Sequence, residues 1–510
     1  MGFALLNCVF FVPLIAAFAV LFIPRSRPES IERWAFGLNL IPLALAAYLW
    51  ITFASVAGMQ DAGSWAWIPE FNIRYSLGVD GFSMPMVFLT CLLSSVCIFY
   101  SAGRIVQRVR EYYFFMLLLE CFLLGVFLAR DLFLFYALFD ASLVPMYFLI
   151  ALWGGERRAY AAMKFFLYTL AGSAAMLIGL LWVYFRSAAV SPVHVATFDI
   201  ATLAQMNLFQ LSPGQETILF FLFGVAFAVK IPIAPLHTWL PDAYVEAPTA
   251  VTVMLAGAMG KMGVYGFLRI ALPFFPHGAH VWATPLMILG VISIVYGAFV
   301  ALAQWDIKRL VAYSSVSHMG FIVLGLAAAA ASSQGAIGSS SFGYTALSGV
   351  VFEMFAHGLI TGSLFLLIGI LEEQAHLRDL LSLTGAMKRA PIYVIVFATV
   401  MFASMGMPGL MGFWGELYVL LGAFSPYTLG TAISALGIII TAGFFIWTLQ
   451  RMALGITSPA SEKLADLSWR EVGALAPLIL LMFIFGIFPA WYISTWMPTI
   501  QHLMMHLGRP

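Results

Sequence analysis

The sequence predicts an all-α polytopic membrane protein of about fourteen transmembrane helices, and three observations predict it. Of 510 residues, 63% are hydrophobic and 9% charged, with a mean hydropathy of +0.98. A soluble domain carries about 25% charged residues, so this chain has too little polar surface to cover itself in water. The apolar residues also gather in runs of about 20, the length of a helix across a bilayer. Finally, the basic residues between runs alternate from side to side. A net charge of +1 with no basic stripe leaves no nucleic-acid partner to expect.

The runs fall at 3–23, 33–54, 78–101, 112–129, 131–152, 161–186, 216–231 (continuing brokenly to 248), 250–271, 282–303, 308–330, 345–371, 391–423, 430–452 and 472–495. The first follows Met1 without a basic segment, so it reads as a span and not a cleavable signal. Of 24 Lys and Arg, sixteen lie in loops after odd-numbered spans, five (Arg74, Arg130, Arg186, Arg269, Arg509) on the other side, and three within spans. This bias puts the odd loops in the cytoplasm and both termini outside. One missed helix would scramble the alternation downstream. The cysteines Cys8, Cys91, Cys97 and Cys121 all lie in apolar segments without a CxxC pair and read as packed, inert thiols. A cluster needs about four cysteines per site, so no Fe–S centre is expected.

Two spans are interrupted. The seventh breaks at Lys230-Ile-Pro232-Ile-Ala-Pro235 and the twelfth at Met405-Gly406-Met407-Pro408-Gly409. Proline removes a backbone donor and clashes with the preceding turn; in lipid such a break survives only where protein or water satisfies the freed groups. Breaks five spans apart predict two five-helix units, the second inverted, as in many transporters. The boundaries are 1–110 (N-terminal helices), 111–272 (first repeat), 273–455 (second repeat) and 456–510 (C-terminal span).

Ionisable residues stand inside the apolar runs: Asp140 in the fifth, Lys164 in the sixth, Lys230 at the first break with His237 seven residues on, Lys261 centring the eighth, His318 in the tenth, His357 in the eleventh, and Glu416 after the second break. A cation at the bilayer centre costs roughly 2.5–3.5 kcal/mol on insertion scales, and such groups usually face a wet interior and pair with one another. An amine held out of water releases its proton more readily, a nearby carboxylate reverses this, and histidine can relay in either direction. Lys, His and Glu joined by water therefore make a proton path. Each residue also has a structural reading: packing for either histidine, an ion-pair role for Asp140, snorkelling for Lys164. Glu353 and Glu372 are expected as solvated heads near the ends of the eleventh span, and Asp242 and Glu246 as entry groups or loop charges. Gly257, Gly260, Gly263 and Gly266 read as close helix packing, not phosphate binding.

KIPIAPLHTWLPDAYVEAPTAVTVMLAGAMGKMGVYGFLR at 230–269, QWDIKRLVAYSSVSHMGF at 304–321, AHGLITGSLFLLIGIL at 356–371, MPGLMGFWGE at 407–416 and DASLVPMYFLIALWGG at 140–155 resemble the antiporter-like membrane subunits of respiratory complex I, in particular the subunit M (mitochondrial subunit 4) branch. Sodium/proton antiporters and membrane-bound hydrogenases share parts of these motifs. The resemblance implies a subunit of NADH:quinone oxidoreductase that moves protons, in the bacterial cytoplasmic membrane, beside neighbouring antiporter-like subunits L and N and lipid. Flavin, Fe–S clusters and quinone are expected in partner subunits, with no cofactor or metal in this chain. By analogy Asp140 pairs with Lys230, Lys261 is the central relay, His318 and His357 lie along the hydrated axis, Glu416 is the terminal acid, and His237 is a relay or gate. The family's usual residue at the Asp140 position is glutamate, one methylene longer. The twelfth-span motif and the stretch after 371 also depart from the commonest pattern. The competing readings are a subunit of a multi-chain Na+/H+ antiporter or of a membrane-bound hydrogenase, a scaffold that no longer pumps and, least favoured, a standalone transporter of a small organic solute.

Overall fold

A computed structural model describes residues 2–190, 194–205, 211–332, 340–376 and 378–508; Arg509, counted above among the outer basic residues, lies outside them. In chain order the described elements are α1 Gly2–Leu21, α2 Pro28–Ile51, β1 Gln60–Ile68, β2 Ile73–Val79, α3 Ser83–Ser101, α4 Val109–Leu128, α5 Leu132–Ala141, α6 Leu143–Trp153, α7 Arg158–Val190, α8 Ile200–Gln205, α9 Pro213–Lys230 and α10 Trp239–Glu246. There follow α11 Thr249–Phe274, then α12 Pro276–Leu302, α13 Ile307–Ser332, α14 Ser340–Ala375, α15 Pro391–Ser404, α16 Met411–Phe424, α17 Thr428–Ala453, α18 Trp469–Ile487 and α19 Pro489–Leu507.

Among the described residues, twelve helical stretches are long and apolar enough to cross a membrane. Each coincides with one of the runs read from the sequence. The remaining two runs are the interrupted ones, whose pieces are shorter. Burial sorts the twelve. The apolar windows of α11 and α14 are wholly buried and those of α13 and α3 nearly so, whereas less than half of each window of α1, α2, α7, α12, α17 and α18 is buried. The first group forms the centre and the second faces outward, so a helix apolar all round need not be a lipid-facing one.

Small residues set how closely the central helices approach. A Cβ on Gly263 would meet Phe227 O at 2.6 Å, and one on Gly257 or Gly266 would strike Leu93 or the Phe227 ring, so these three close-pack. At Gly260 the nearest atom is Lys230 O at 3.8 Å, an ordinary contact. The same device joins α14 to α16: side chains at Gly349 or Gly422 would run into the Val419 or Ala346 backbone.

Among the described residues, helix continuity fails at several places. The breaks after Lys230 and around 405–410 follow the sequence reading. After Lys230, the freed Val229 carbonyl accepts from Trp239 Nε1 at 3.0 Å and the Ala234 N–H donates to Ser293 Oγ at 3.0 Å. At the second break Gly406 and Gly409 take positive φ, +70° and +90°, where only glycine rests without strain. Others were not anticipated. The fifth span divides at Ser142, one turn before Pro145. The eighth winds to π-turns at Leu255–Met259, one residue ahead of Lys261, and at Phe267–Ala271; such turns are frequent at functional sites.

Three further expectations are corrected. Residues 60–79 form an antiparallel hairpin with Trp65 opposite Tyr75, their rings stacked at 5.5 Å; the alternation of Trp65, Trp67, Tyr75 and Leu77 is the short-period signal overlooked beside the long apolar runs. The last span ends at Ile487, and Pro489 starts a separate helix, a position where its missing N–H costs nothing. Cys91, Cys97 and Cys121 are buried, but Cys8 is exposed on the outer face of α1.

Candidate proton-transfer site

The ionisable side chains singled out by the sequence fall into two interior groups. The first surrounds Lys230, at the C-terminal end of α9 and 1% exposed. Its Nζ lies 4.8 Å from the centroid of the Phe139 ring and 5.8 Å from that of Phe165, and among the described residues it has no hydrogen-bond partner. Asp140, beside Phe139 at the end of α5, has a buried Oδ1 that likewise lacks a hydrogen-bond partner among the described residues. Among the described residues the expected Asp140–Lys230 ion pair is not a direct contact, since the amine sits over the preceding aromatic ring and Asp140 acts on it through space. His237 is buried in the break, its ring 5.2 Å from that of Tyr296, and its Nδ1 has no hydrogen-bond partner among the described residues. Lys164 does not snorkel free; it donates to Asp242 Oδ2 at 2.7 Å. That contact ties α7 to α10 and gives Asp242 a partner the sequence could not name.

The second group is a row. Lys261 on α11 is fully buried and donates to Ala256 O at 2.6 Å, a carbonyl of the π-turn, with His357 Nδ1 at 2.7 Å. Thr361, one turn along α14, touches the same imidazole. The His357 ring centroid lies 5.8 Å from that of His318 on α13. His318 Nδ1 is 3.1 Å from Glu416 Oε1, and His318 Nε2 is 3.1 Å from Ser404 Oγ, the last residue before the second break. The row thus runs from the eighth span to the twelfth through side chains of four helices, all of them buried.

Glu353 belongs to this row and not to a solvated helix end. It is 2% exposed, and its Oε1 is 3.9 Å from His318 Nδ1. The helix begins at Ser340, so Glu353 lies several turns inside it. Its spacing of four residues from His357 puts both on one helical face, a signal available in the sequence. Glu372 is partly exposed as expected, 3.6 Å from Lys308 Nζ. Lys308, counted among the loop cations, is itself only 4% exposed and donates to Ala247 O at 3.1 Å. A cavity of about 630 Å³ opens beside it, with Thr249 and Ala250 at the head of α11 in its wall. A further buried carboxyl missed in the sequence is Glu120 on α4, held by Asn39 and by Ser94 at 2.8 Å.

Residues 129–441 match the family described as "NADH:quinone oxidoreductase/Mrp antiporter, TM". The chain is 38% identical to NADH-quinone oxidoreductase subunit M of Rhodobacter capsulatus, over 98% of this chain and 96% of that one. Its fold is similar to a chain of the structure of respiratory complex I from Thermus thermophilus with bound NADH, at TM-score 0.87 and 28% identity, covering 99% and 100% of the two chains. It is also similar to a chain of the Mrp complex from Dietzia sp. DQ12-45-1b, at TM-score 0.79 and 22% identity, covering 99% of this chain and 55% of that one; at that identity the likeness concerns the fold alone.

Proposed function

The chain belongs to the NADH:quinone oxidoreductase/Mrp antiporter membrane family, and from that premise we propose that it is the proton-translocating, antiporter-like subunit of an NADH:quinone oxidoreductase in a bacterial cytoplasmic membrane. The observation that carries the proposal is the buried row Lys261–His357–His318–Glu416, in which each charge-bearing or titratable group has the next within reach of a hydrogen bond or one water. Buried ionisable groups bought only for packing would gain nothing from such a sequence of neighbours, because an apolar residue fills the same space at lower cost.

In this reading Lys230, with Asp140 and His237, holds and releases a proton in the first unit, and Lys261 receives it. The histidines pass it to Glu416. The cavity beside Lys308 admits protons from the cytoplasmic side, with Lys164 and Asp242 near the His237 break. Both interrupted runs cross the bilayer, which gives fourteen crossings, two inverted five-helix units and both termini outside. Flavin, Fe–S clusters and quinone belong to partner subunits, and the neighbours are the antiporter-like L and N subunits. The Mrp-type antiporter is the alternative, and sodium-dependent transport without co-purifying redox subunits would favour it.

The test is Lys261→Met in the assembled complex, reconstituted in proteoliposomes. Proton uptake through this subunit should fall by about 10²-fold or more, as for a lost proton carrier. Pumping at the wild-type stoichiometry would refute the role and leave the chain a scaffold.

A further inference from the structure

Glu353 is a second carboxyl in the row, and nothing in the proton path above uses it. It faces His318 Nδ1 from α14 at 3.9 Å, while Glu416 faces the same nitrogen from α16 at 3.1 Å. With Nε2 engaged by Ser404 Oγ, Nδ1 is the nitrogen that both carboxyls address. The approach of Glu353 is built into the helix crossing: a Cβ on Gly415, the neighbour of Glu416, would lie on the Glu353 carboxyl and 3.0 Å from its Cα. The Lys261 charge acts on Glu353 through space and not by contact. The Lys261 amine is committed to Ala256 O and His357 Nδ1, and among the described residues it forms no ion pair with either carboxyl. The second oxygen of Glu353, Oε2, is buried without a hydrogen-bond partner among the described residues.

Two carboxylates sharing a buried site do not both ionise; one keeps a proton. An ionised carboxylate with a bare oxygen in an apolar interior is the costlier of the two, and Glu416 has the closer imidazole. We propose that Glu353 is a proton-storing carboxyl of this cluster, exchanging its proton with Glu416 through His318 Nδ1. The step balances without a co-reactant. His318 starts as an imidazolium, its Nδ1–H facing the Glu416 carboxylate and its Nε2–H donated to Ser404. The Nδ1–H bond breaks as an O–H bond forms on Glu416, and the Glu353 O–H bond then breaks as an N–H bond re-forms on Nδ1, leaving Glu353 as the carboxylate beside the imidazolium. Net charge in the cluster is unchanged, and one proton has crossed from α14 to α16. The facing groups are His318 from α13, Glu416 from α16, Lys261 from α11 and His357 from the same helix.

This inference rests on the proton-path reading, but its test can fail separately. The assembled complex, wild type and Glu353→Gln, is compared by infrared difference spectroscopy through a pH jump in H2O and D2O. The wild type should show a deuterium-sensitive band of a protonated carboxylic C=O that the Gln variant lacks, and proton uptake in the variant should slow by about 10²-fold. Unchanged bands with uptake at the wild-type rate would overturn the proposal and make Glu353 a packing residue. Loss of bound ²²Na⁺ in the variant would overturn it in another way, making the carboxyl pair a sodium site. If the Gln variant does not assemble, Glu416→Gln serves: the Glu353 band should persist at a shifted frequency, and an unshifted band overturns the sharing. The band reports proton occupancy whether or not Lys261→Met stops transport, so the two failures are distinguishable.

Discussion

Replacing Lys230 by methionine separates a functional lysine from a structural one, because the two roles predict opposite changes in stability. The Lys230 amine is buried, has no hydrogen-bond partner among the described residues and sits 4.8 Å from the centre of the Phe139 ring. An unsatisfied buried donor costs about 1–3 kcal/mol even before any charge is counted. A cation over an aromatic face returns about 0.5–2 kcal/mol. Methionine keeps the length, needs no partner and still packs against the ring. The two ranges overlap, so Lys230→Met should lie between about 1 kcal/mol less stable and about 2.5 kcal/mol more stable than wild type, without the larger loss expected of a lysine that holds helices together. Proton translocation should nevertheless fall by about 10²-fold or more. The assay is paired: thermal unfolding of the purified complex, and proton uptake in proteoliposomes made from the same preparation. A variant that unfolds earlier yet moves protons at the wild-type rate would falsify the reasoning, since the lysine would then be holding helices together.

Two other substitutions test the geometry. Asp140→Glu adds one methylene and should bring the carboxylate into contact with Lys230; a bidirectional pair of variants, with Asp140→Asn as the other, should show translocation retained in the first and reduced by about tenfold or more in the second. Equal activity in both would mean the carboxylate does not act on Lys230. Gly415→Ala places a methyl on Glu353 and 3.0 Å from its Cα; overpacking of this kind costs about 1–3 kcal/mol, read as a lower unfolding midpoint, and a midpoint equal to wild type would mean that α14 and α16 can move apart freely.

The membrane class was legible because it depends on composition and run length alone, which neighbours cannot alter. The breaks after Lys230 and around Gly406 were equally legible, since proline and positive-φ glycine are local backbone facts. The hairpin at 60–79 had its signal in the alternation from Trp65 to Leu77, and Glu353 had one in its spacing from His357. Neither signal carries weight until an endpoint is known: Glu353 passes for a helix-end head group if the helix is begun at 345, and becomes an interior group once Ser340 is included.

What the sequence determined by itself is that amines and carboxyls lie within apolar helices, because each residue's place along its own run is a one-dimensional fact. Which of them meet was decided only by tertiary structure. His357 and Lys261 are 96 positions apart, and Ser404 and His318 are 86 apart. Their contacts depend on the rotation of each helix and on how closely glycines at 257, 349 and 422 let neighbours approach. The same rotations left Lys230 over an aromatic ring instead of against Asp140.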